Sequence, residues 1–160
     1  MFDTGSTQRG EVMVFRYPEE SSKNYIKRVI GLPGDRIRIA GAELFINGEK
    51  VERQLLDQRG GARGQEAVFT ERLGDTVHLI RHEWLLNPSP GQLVSRSPEG
   101  EWEVPEDSYF VMGDNRDNSK DSRFIEAIPE SHLVGEAVRV WMHMDGLSWP
   151  RWDRIGLKIQ

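Results

Sequence analysis

Length, composition and charge already exclude several classes of function. The 160 residues include 21 basic and 26 acidic side chains, which gives a net charge of −5 and argues against a nucleic-acid partner. The sequence contains no cysteine, so thiol nucleophiles, disulfides and thiolate metal sites are excluded. No segment approaches the roughly 18 consecutive apolar residues of a membrane-spanning helix, so we expect the chain as given to be soluble.

Short apolar runs between glycines and prolines predict strands along most of the chain. In order, we expect strands at 11–15, 24–32, 36–41, 43–51, 67–82 (two strands around a turn at 74–75), 109–112 and 133–144. The pair at 47–48, Asn-Gly, is typical of a type I′ hairpin turn. The segment 58–65 is predicted to be a mobile loop and 87–100 a connection, because both are rich in turn-forming residues. Only 129–133 resembles a helical turn, and the pattern indicates an all-β sandwich or barrel.

A lysine lies inside the second predicted strand. Lys27 stands in "YIKRVIGLPGD", directly after Tyr25 and Ile26. On one interpretation the amine reaches solvent along its aliphatic stem. On the other, burial lowers its pKa from near 10.4, so that the neutral amine can act as a general base. The turn at 33–34 predicts only that Asp35 binds nearby backbone N–H groups.

The segment 112–123, "MGDNRDNSKDSR", places many charges directly after a hydrophobic run. A metal site would use Asp114, Asp117 and Asp121 as oxygen ligands, but their spacing does not follow that of a calcium loop. A network in which each Asp has an Arg partner fits the composition better and would hold Ser119 at a defined position. We therefore expect neither a metal nor a cofactor.

Three motifs together resemble the bacterial type I signal peptidases. "GDNRDNSKDSR" is similar to the family's most diagnostic motif, "YIKRVIGLPGD" to its lysine-bearing motif, and "RGEVMVFRYP" to the preceding strand, all in the family's order. "LVGEAVRVWM" resembles its final strands, and the likeness is weakest over about 50–104. The resemblance implies an all-β signal-peptidase-like fold. Its catalytic core would comprise 1–38 and 105–160, with an inserted, variable β-subdomain at 39–104.

The resemblance also implies a serine endopeptidase with a Ser-Lys dyad, which removes signal peptides from exported preproteins. By motif, Lys27 is the general base and Ser119 is the serine that hydrogen-bonds it. The other matched positions form a scaffold: Arg28 with Asp114, Asp121 with Arg123, and Gly113, where a side chain would crowd the lysine. We expect the Ser119 hydroxyl within about 3.2 Å of the Lys27 amine, and this amine neutral at pH 7 in the intact enzyme.

Substrate binding in this family implies an added strand, with small residues at positions −1 and −3 in shallow apolar pockets. The strand from Asn24 through Tyr25 to Lys27 would supply the edge, and Ile26 and Val14 would line the pockets. The implied location is the outer face of the bacterial cell membrane. A tryptophan-rich tail, containing Trp141, Trp149 and Trp152, is either core packing or a surface that rests on the membrane.

Departures from the family's pattern bear on activity. The nucleophile is expected upstream of 8–15 in a Ser-Met-x-Pro context, and none of the eleven serines is followed by Met-x-Pro. We therefore expect the chain to lack both the nucleophile and the membrane anchor, and to be inactive alone. Glu126 stands where the family usually has glycine, and Glu11 where aspartate is usual. The alternatives are an inactive homologue that binds extended peptides and a self-cleaving Ser-Lys repressor domain, whose motifs lack "GDNRDNS".

Overall fold

Strands dominate the computed structural model, which describes residues 7–17, 20–62, 64–86, 93–95 and 97–136. The strands are β1 (Val12–Tyr17), β2 (Glu20–Gly31), β3 (Arg36–Ala40), β4 (Glu43–Ile46), β5 (Glu49–Lys50), β6 (Arg53–Gly61), β7 (Gly64–Leu73), β8 (Thr76–Leu86), β9 (Leu93–Ser95), β10 (Gly100–Glu103), β11 (Ser108–Met112), β12 (Ile128–Pro129) and β13 (Leu133–Glu136). Within these ranges the helical elements are α1 (Ser122–Ile125) and a 3-10 turn (Glu130–His132). The all-β prediction is confirmed.

Three antiparallel sheets organise these strands. One has five strands in the order β12-β11-β2-β1-β13, and the other two are β10-β3-β4-β5 and β6-β7-β8-β9. Strands β2 and β11 carry side chains into two different cores, because successive residues of a strand point to opposite faces. Val29 and Val111 belong to a core within the first sheet, whereas Ile30 and Met112 belong to a core shared with the second sheet. The long apolar runs in these two strands are thereby explained.

Several local predictions are confirmed. The hairpin turn between β4 and β5 has positive φ at both Asn47 (52°) and Gly48 (83°), as a type I′ turn requires. Asp35 accepts a hydrogen bond from the Leu32 amide at 2.7 Å, as its place in the turn predicts. The 3-10 turn at Glu130–His132 matches the helical turn predicted at 129–133. Helix α1 was not predicted, and it begins where the Asp121 side chain accepts a hydrogen bond from the Arg123 amide.

The prediction of a mobile loop at 58–65 is wrong. The β6–β7 ladder continues to its tip, with Gly60 opposite Gln65 and Gly61 opposite Gly64. A Cβ at position 64 would collide with the Trp84 carbonyl, so this glycine allows close approach to β8. Composition alone gave the wrong answer because these glycines lie within paired strands, and Gly64 serves backbone packing.

The charged segment after β11 is attached to the third sheet. Arg81 of β8 donates its amide to the Asp114 carbonyl at 2.9 Å, and the Arg116 amide donates to the Arg81 carbonyl at 2.9 Å. These two bonds form an isolated parallel bridge between Arg81 and Asn115. The segment therefore lies between the first and third sheets.

Some predictions concern parts of the chain outside the described residues. These include 137–144 of the last predicted strand and the tail with Trp141, Trp149 and Trp152. In the part that is described, no helix combines the length and apolar character needed to cross a membrane.

Candidate active site

Lys27 is buried in the first sheet, at 2% exposure. It lies opposite Met13 in the β1–β2 ladder, and this register turns its side chain toward the same face as that fully buried methionine. Its Nζ donates to Ser119 Oγ at 2.7 Å, across 92 positions of sequence. The predicted contact is confirmed, and the interpretation that the amine reaches solvent is wrong.

The pKa of Lys27 is lowered by this environment. Burial, which penalises the ammonium form, brings it from 10.5 to about 8; the charges of Asp121 and Asp114 act against this change and that of Arg123 adds to it. At such a pKa roughly one amine in ten is neutral at pH 7. The amine is thus far more available as a base than an ordinary lysine, and its neutrality at pH 7 in the intact enzyme stays a prediction.

The two predicted ion pairs are present around this contact. Arg28 holds Asp114 in a bidentate pair, with Nε–Oδ1 at 2.8 Å and Nη2–Oδ2 at 2.7 Å. Arg123 holds Asp121 in the same way, with both distances 2.8 Å. Burial by itself would raise the pKa of Asp121, but the hydrogen bond and charge of Arg123 lower it. The Asp121 carboxylate therefore remains ionised, and each of the two carboxylates is held by an arginine.

The prediction that every Asp of the segment pairs with an Arg is wrong for Asp117. Its Oδ2 accepts from the Glu83 amide at 2.6 Å and lies 3.3 Å from His82 Nδ1. Arg116 instead pairs with Glu71 of β7, which the sequence analysis did not identify. These partners come from β7 and β8, in the part of the chain where the resemblance was weakest.

Glu71 could have been found from the strand pattern. In β7 the inward positions are Ala67, Phe69, Glu71 and Leu73. Glu71 thus places a carboxylate among side chains that are otherwise apolar. Burial by itself would raise its pKa, but the charge of Arg116, with hydrogen bonds from His78 and Arg116, holds that pKa well below its usual range. A charged residue at such a position indicates a buried ionic partner.

Gly113 lies against the Lys27–Ser119 contact. A Cβ at this position would collide with the Ser119 hydroxyl and lie 3.6 Å from Lys27 Nζ. The expectation that a side chain here would crowd the lysine therefore has a direct geometric basis, and its first collision is with the serine.

The structure divides the predicted substrate residues between two faces of β2. Val14 and Ile26 are opposite each other in the β1–β2 ladder and share one face with Asn24. Tyr25 lies on the other face with Lys27, and its ring stacks on Tyr17 at 4.6 Å between centroids.

The β2–β11 ladder ends next to these residues. The β2–β11 pairing ends at Arg28 opposite Met112, so in the described part of the chain 24–27 pairs only with β1. A narrow cleft next to Lys27 is lined mainly by aromatic and aliphatic side chains, including Phe15, Tyr17, Tyr25, Val111, Ile125 and Ile128. An open strand edge therefore runs beside the buried amine.

A larger hollow lies elsewhere, at the tip of the β6–β7–β8 sheet, between Gly61, Gly64 and Trp84. None of the predicted site residues lines it. Within the described ranges, no group of three or more His, Asp or Glu side chains is placed to hold a metal ion. The site around Lys27 therefore combines a perturbed titratable group with an adjoining cleft, as functional sites often do.

Comparison with known proteins agrees with this fold and these motifs. The chain is 42% identical to the signal peptidase I of Pseudomonas fluorescens over 98% of its length, and 42% identical to that of Pseudomonas aeruginosa over 91%. It spans 58% and 51% of the length of these two relatives. A crystal structure of a signal peptidase I from Enterococcus faecalis has a TM-score of 0.52 and 23% identity, and the match covers 85% of this chain and 98% of that one.

The fold is therefore that of an all-β peptidase. The family model described as "Signal peptidase, peptidase S26" matches residues 2–142. The chain belongs to this signal peptidase family.

Proposed function

We propose that this chain supplies the lysine base and its scaffold to a signal peptidase I, which cleaves signal peptides from exported preproteins at the outer face of the bacterial cell membrane. The observation that supports this most strongly is the buried Lys27 amine, 2.7 Å from Ser119 Oγ and with a pKa lowered to about 8. In the proposed division, 1–38 and 105–160 form the catalytic core and 39–104 an inserted β-subdomain.

In the proposed reaction, a serine hydroxyl attacks the carbonyl carbon of the scissile peptide. The neutral Lys27 amine takes the hydroxyl proton as the new C–O bond forms, and it later gives this proton to the leaving amine. Water then hydrolyses the acyl-enzyme with the same lysine as base. Ser119 is proposed to orient the amine and not to attack, because it lies in the motif position of the partner serine. None of the eleven serines of this chain is followed by Met-x-Pro, so we propose that the attacking serine comes from outside these 160 residues.

The substrate is proposed to bind as an extra strand along 24–27. This stretch has an open side among the described residues, where an extended peptide can form main-chain hydrogen bonds. Val14 and Ile26, both partly buried, would form the shallow apolar surface that accepts small residues at −1 and −3. The buried lysine lies at the end of this edge, next to where the β11 ladder begins.

A chimera tests the proposal. In the signal peptidase I of Pseudomonas aeruginosa, the segment that matches this chain is replaced by the 160 residues, so that Lys27 and Ser119 come from this chain. We expect the chimera to cleave a preprotein with an Ala-x-Ala site, and Lys27→Ala and Lys27→Arg to abolish cleavage, since guanidinium does not release its proton. Lys23→Ala, an exposed lysine of the same strand, is the matched control. Cleavage that survives Lys27→Ala would reject the proposed base.

The 160 residues by themselves are expected not to cleave this preprotein, since the attacking hydroxyl is proposed to come from elsewhere. Cleavage by the isolated chain that is lost in Lys27→Ala would contradict this and would mean that one of its own serines attacks. An inactive peptide-binding homologue would bind the signal peptide in the chimera without cutting it, which separates the alternative from the main proposal.

A further inference from the structure

Glu71 of β7 contacts the segment that carries Ser119 through one buried arginine. Arg116 Nη1 donates to Glu71 Oε2 at 2.9 Å and Nη2 donates to Oε1 at 2.6 Å. The two side chains are 1% and 2% exposed. Burying such a pair does not by itself explain stability, because an apolar pair of similar size often stabilises a fold as well or better. The role of the Glu71–Arg116 pair is therefore to be found in how it positions neighbouring groups.

The same guanidinium holds the peptide of Gly113. Arg116 Nε donates to the Gly113 carbonyl at 3.0 Å, and the Gly113 amide donates to Asp121 Oδ2 at 2.9 Å. The groups on both sides of the Gly113 Cα are thereby fixed. Because Gly113 lies directly against the Ser119 hydroxyl, its position determines where that hydroxyl meets Lys27.

Arg123 completes a ring of buried hydrogen bonds. Its Nη2 donates both to the Arg116 carbonyl and to Asp121 Oδ2. The ring thus runs from Arg116 to Gly113, on to Asp121 and Arg123, and back to Arg116. Charge-assisted bonds in a low-dielectric interior are strong and directional, so a change at Arg116 moves Gly113 with it.

We infer that Glu71 is a positioning residue for the Lys27–Ser119 pair and acts through Arg116 and Gly113. It does not touch the pair itself, and its role is to hold the guanidinium at the angle from which Nε reaches the Gly113 carbonyl. The inference rests on the proposed function only in assigning a catalytic role to the Lys27–Ser119 pair. The position of Ser119 and the environment of Lys27 can be measured without any cleavage.

The test replaces the ion pair by apolar side chains in Glu71→Leu/Arg116→Met. The net charge of the chain is unchanged, and the charges that act on Lys27 are those of Asp121, Arg123 and Asp114, so an effect on Lys27 reports geometry. The readout is the pKa of Lys27 from NMR titration of ¹³Cε-labelled lysine, assigned among the five lysines with Lys27→Arg. We expect the displaced Ser119 to let water reach the amine, and this loss of burial to raise that pKa from about 8 toward 10.5.

A matched control removes a different ion pair of β7, one that joins this strand to β8 and does not involve Arg116. Glu66→Gln/Arg81→Gln replaces a half-exposed pair of β7 and β8, and it is expected to leave the Lys27 titration unchanged. Urea unfolding of each variant shows whether it remains folded. A folded Glu71→Leu/Arg116→Met variant with an unaltered Lys27 pKa would overturn the inference, since the pair would then only fill space.

A second variant tests the inference even when the double variant does not fold. Arg116→Lys keeps a cation opposite Glu71 but has no Nε to hold the Gly113 carbonyl. It is expected to raise the Lys27 pKa in the same direction, and a parent-like titration in this variant would also overturn the inference. If the titrations behave as expected but the chimera does not cleave, the proposed function fails and the positioning role of Glu71 stands.

Discussion

Replacing Lys27 by methionine should change the stability of the chain in a way that depends on pH. The folded pKa of about 8 lies below the unfolded value of 10.5, so the folded chain binds this proton less tightly. At about 1.4 kcal/mol per pKa unit, the buried ammonium destabilises the fold by about 3–4 kcal/mol at and below neutral pH. This destabilisation is fully present below pH 8 and is released as the pH rises toward 10.5.

The quantity to measure is the difference in unfolding free energy between Lys27→Met and the parent chain, from urea melts followed by tryptophan fluorescence at pH 7, 8, 9 and 10. Loss of the Ser119 hydrogen bond and altered packing add an offset that does not vary with pH. Above that offset, the advantage of methionine should shrink by about 2–3 kcal/mol between pH 7 and pH 10. Lys23→Met, from the exposed part of β2, is the control for removing a lysine. A difference that stays constant from pH 7 to pH 10 would refute the claim that the folded chain desolvates the Lys27 amine.

Two further substitutions test the packing around the site. Gly113→Ala should destabilise the chain by about 1–3 kcal/mol in urea melts, because its Cβ collides with the Ser119 hydroxyl. Gly135→Ala, which has open space around its Cβ, should have little effect. Equal stabilities of the two variants would contradict the collision. Glu126 has φ 68° and ψ −176°, a region almost restricted to glycine. Glu126→Gly should therefore raise the unfolding free energy by about 1 kcal/mol and Glu126→Ala should not, and a gain for alanine alone would count against backbone strain.

The sequence predicted the site well where a motif fixed both partners. Lys27 and Ser119 are 92 positions apart, yet their contact was expected because two short segments resemble motifs of the signal peptidases. Asp114 and Asp121 were paired correctly with Arg28 and Arg123 for the same reason. Strand alternation alone could not decide whether the lysine is buried, since either face of β2 was compatible with the pattern.

The contribution of the third sheet could not be predicted in this way. Glu71 and His82 lie where the resemblance is weak, and no local rule links a carboxylate in one hairpin to an arginine 45 positions later. The assignment of 58–65 to a loop failed because glycine content was interpreted as mobility. In the structure the β6–β7 ladder reaches its tip, and Gly64 there allows close approach to Trp84.

Strands β2 and β11 each contribute side chains to two hydrophobic cores, and this affects how the molecule unfolds. Val29 and Ile30 are consecutive in sequence but belong to separate hydrophobic cores, and the same holds for Val111 and Met112. Neither core can open while the other core keeps β2 and β11 in place, because both strands contribute side chains to both cores. Local openings that separate β2 from β11 must therefore expose both interiors at once, which makes the centre of the first sheet a single cooperative unit. Lys27 lies one residue beyond the β2–β11 ladder, on the face of Val29, so opening of this unit is expected to expose its amine.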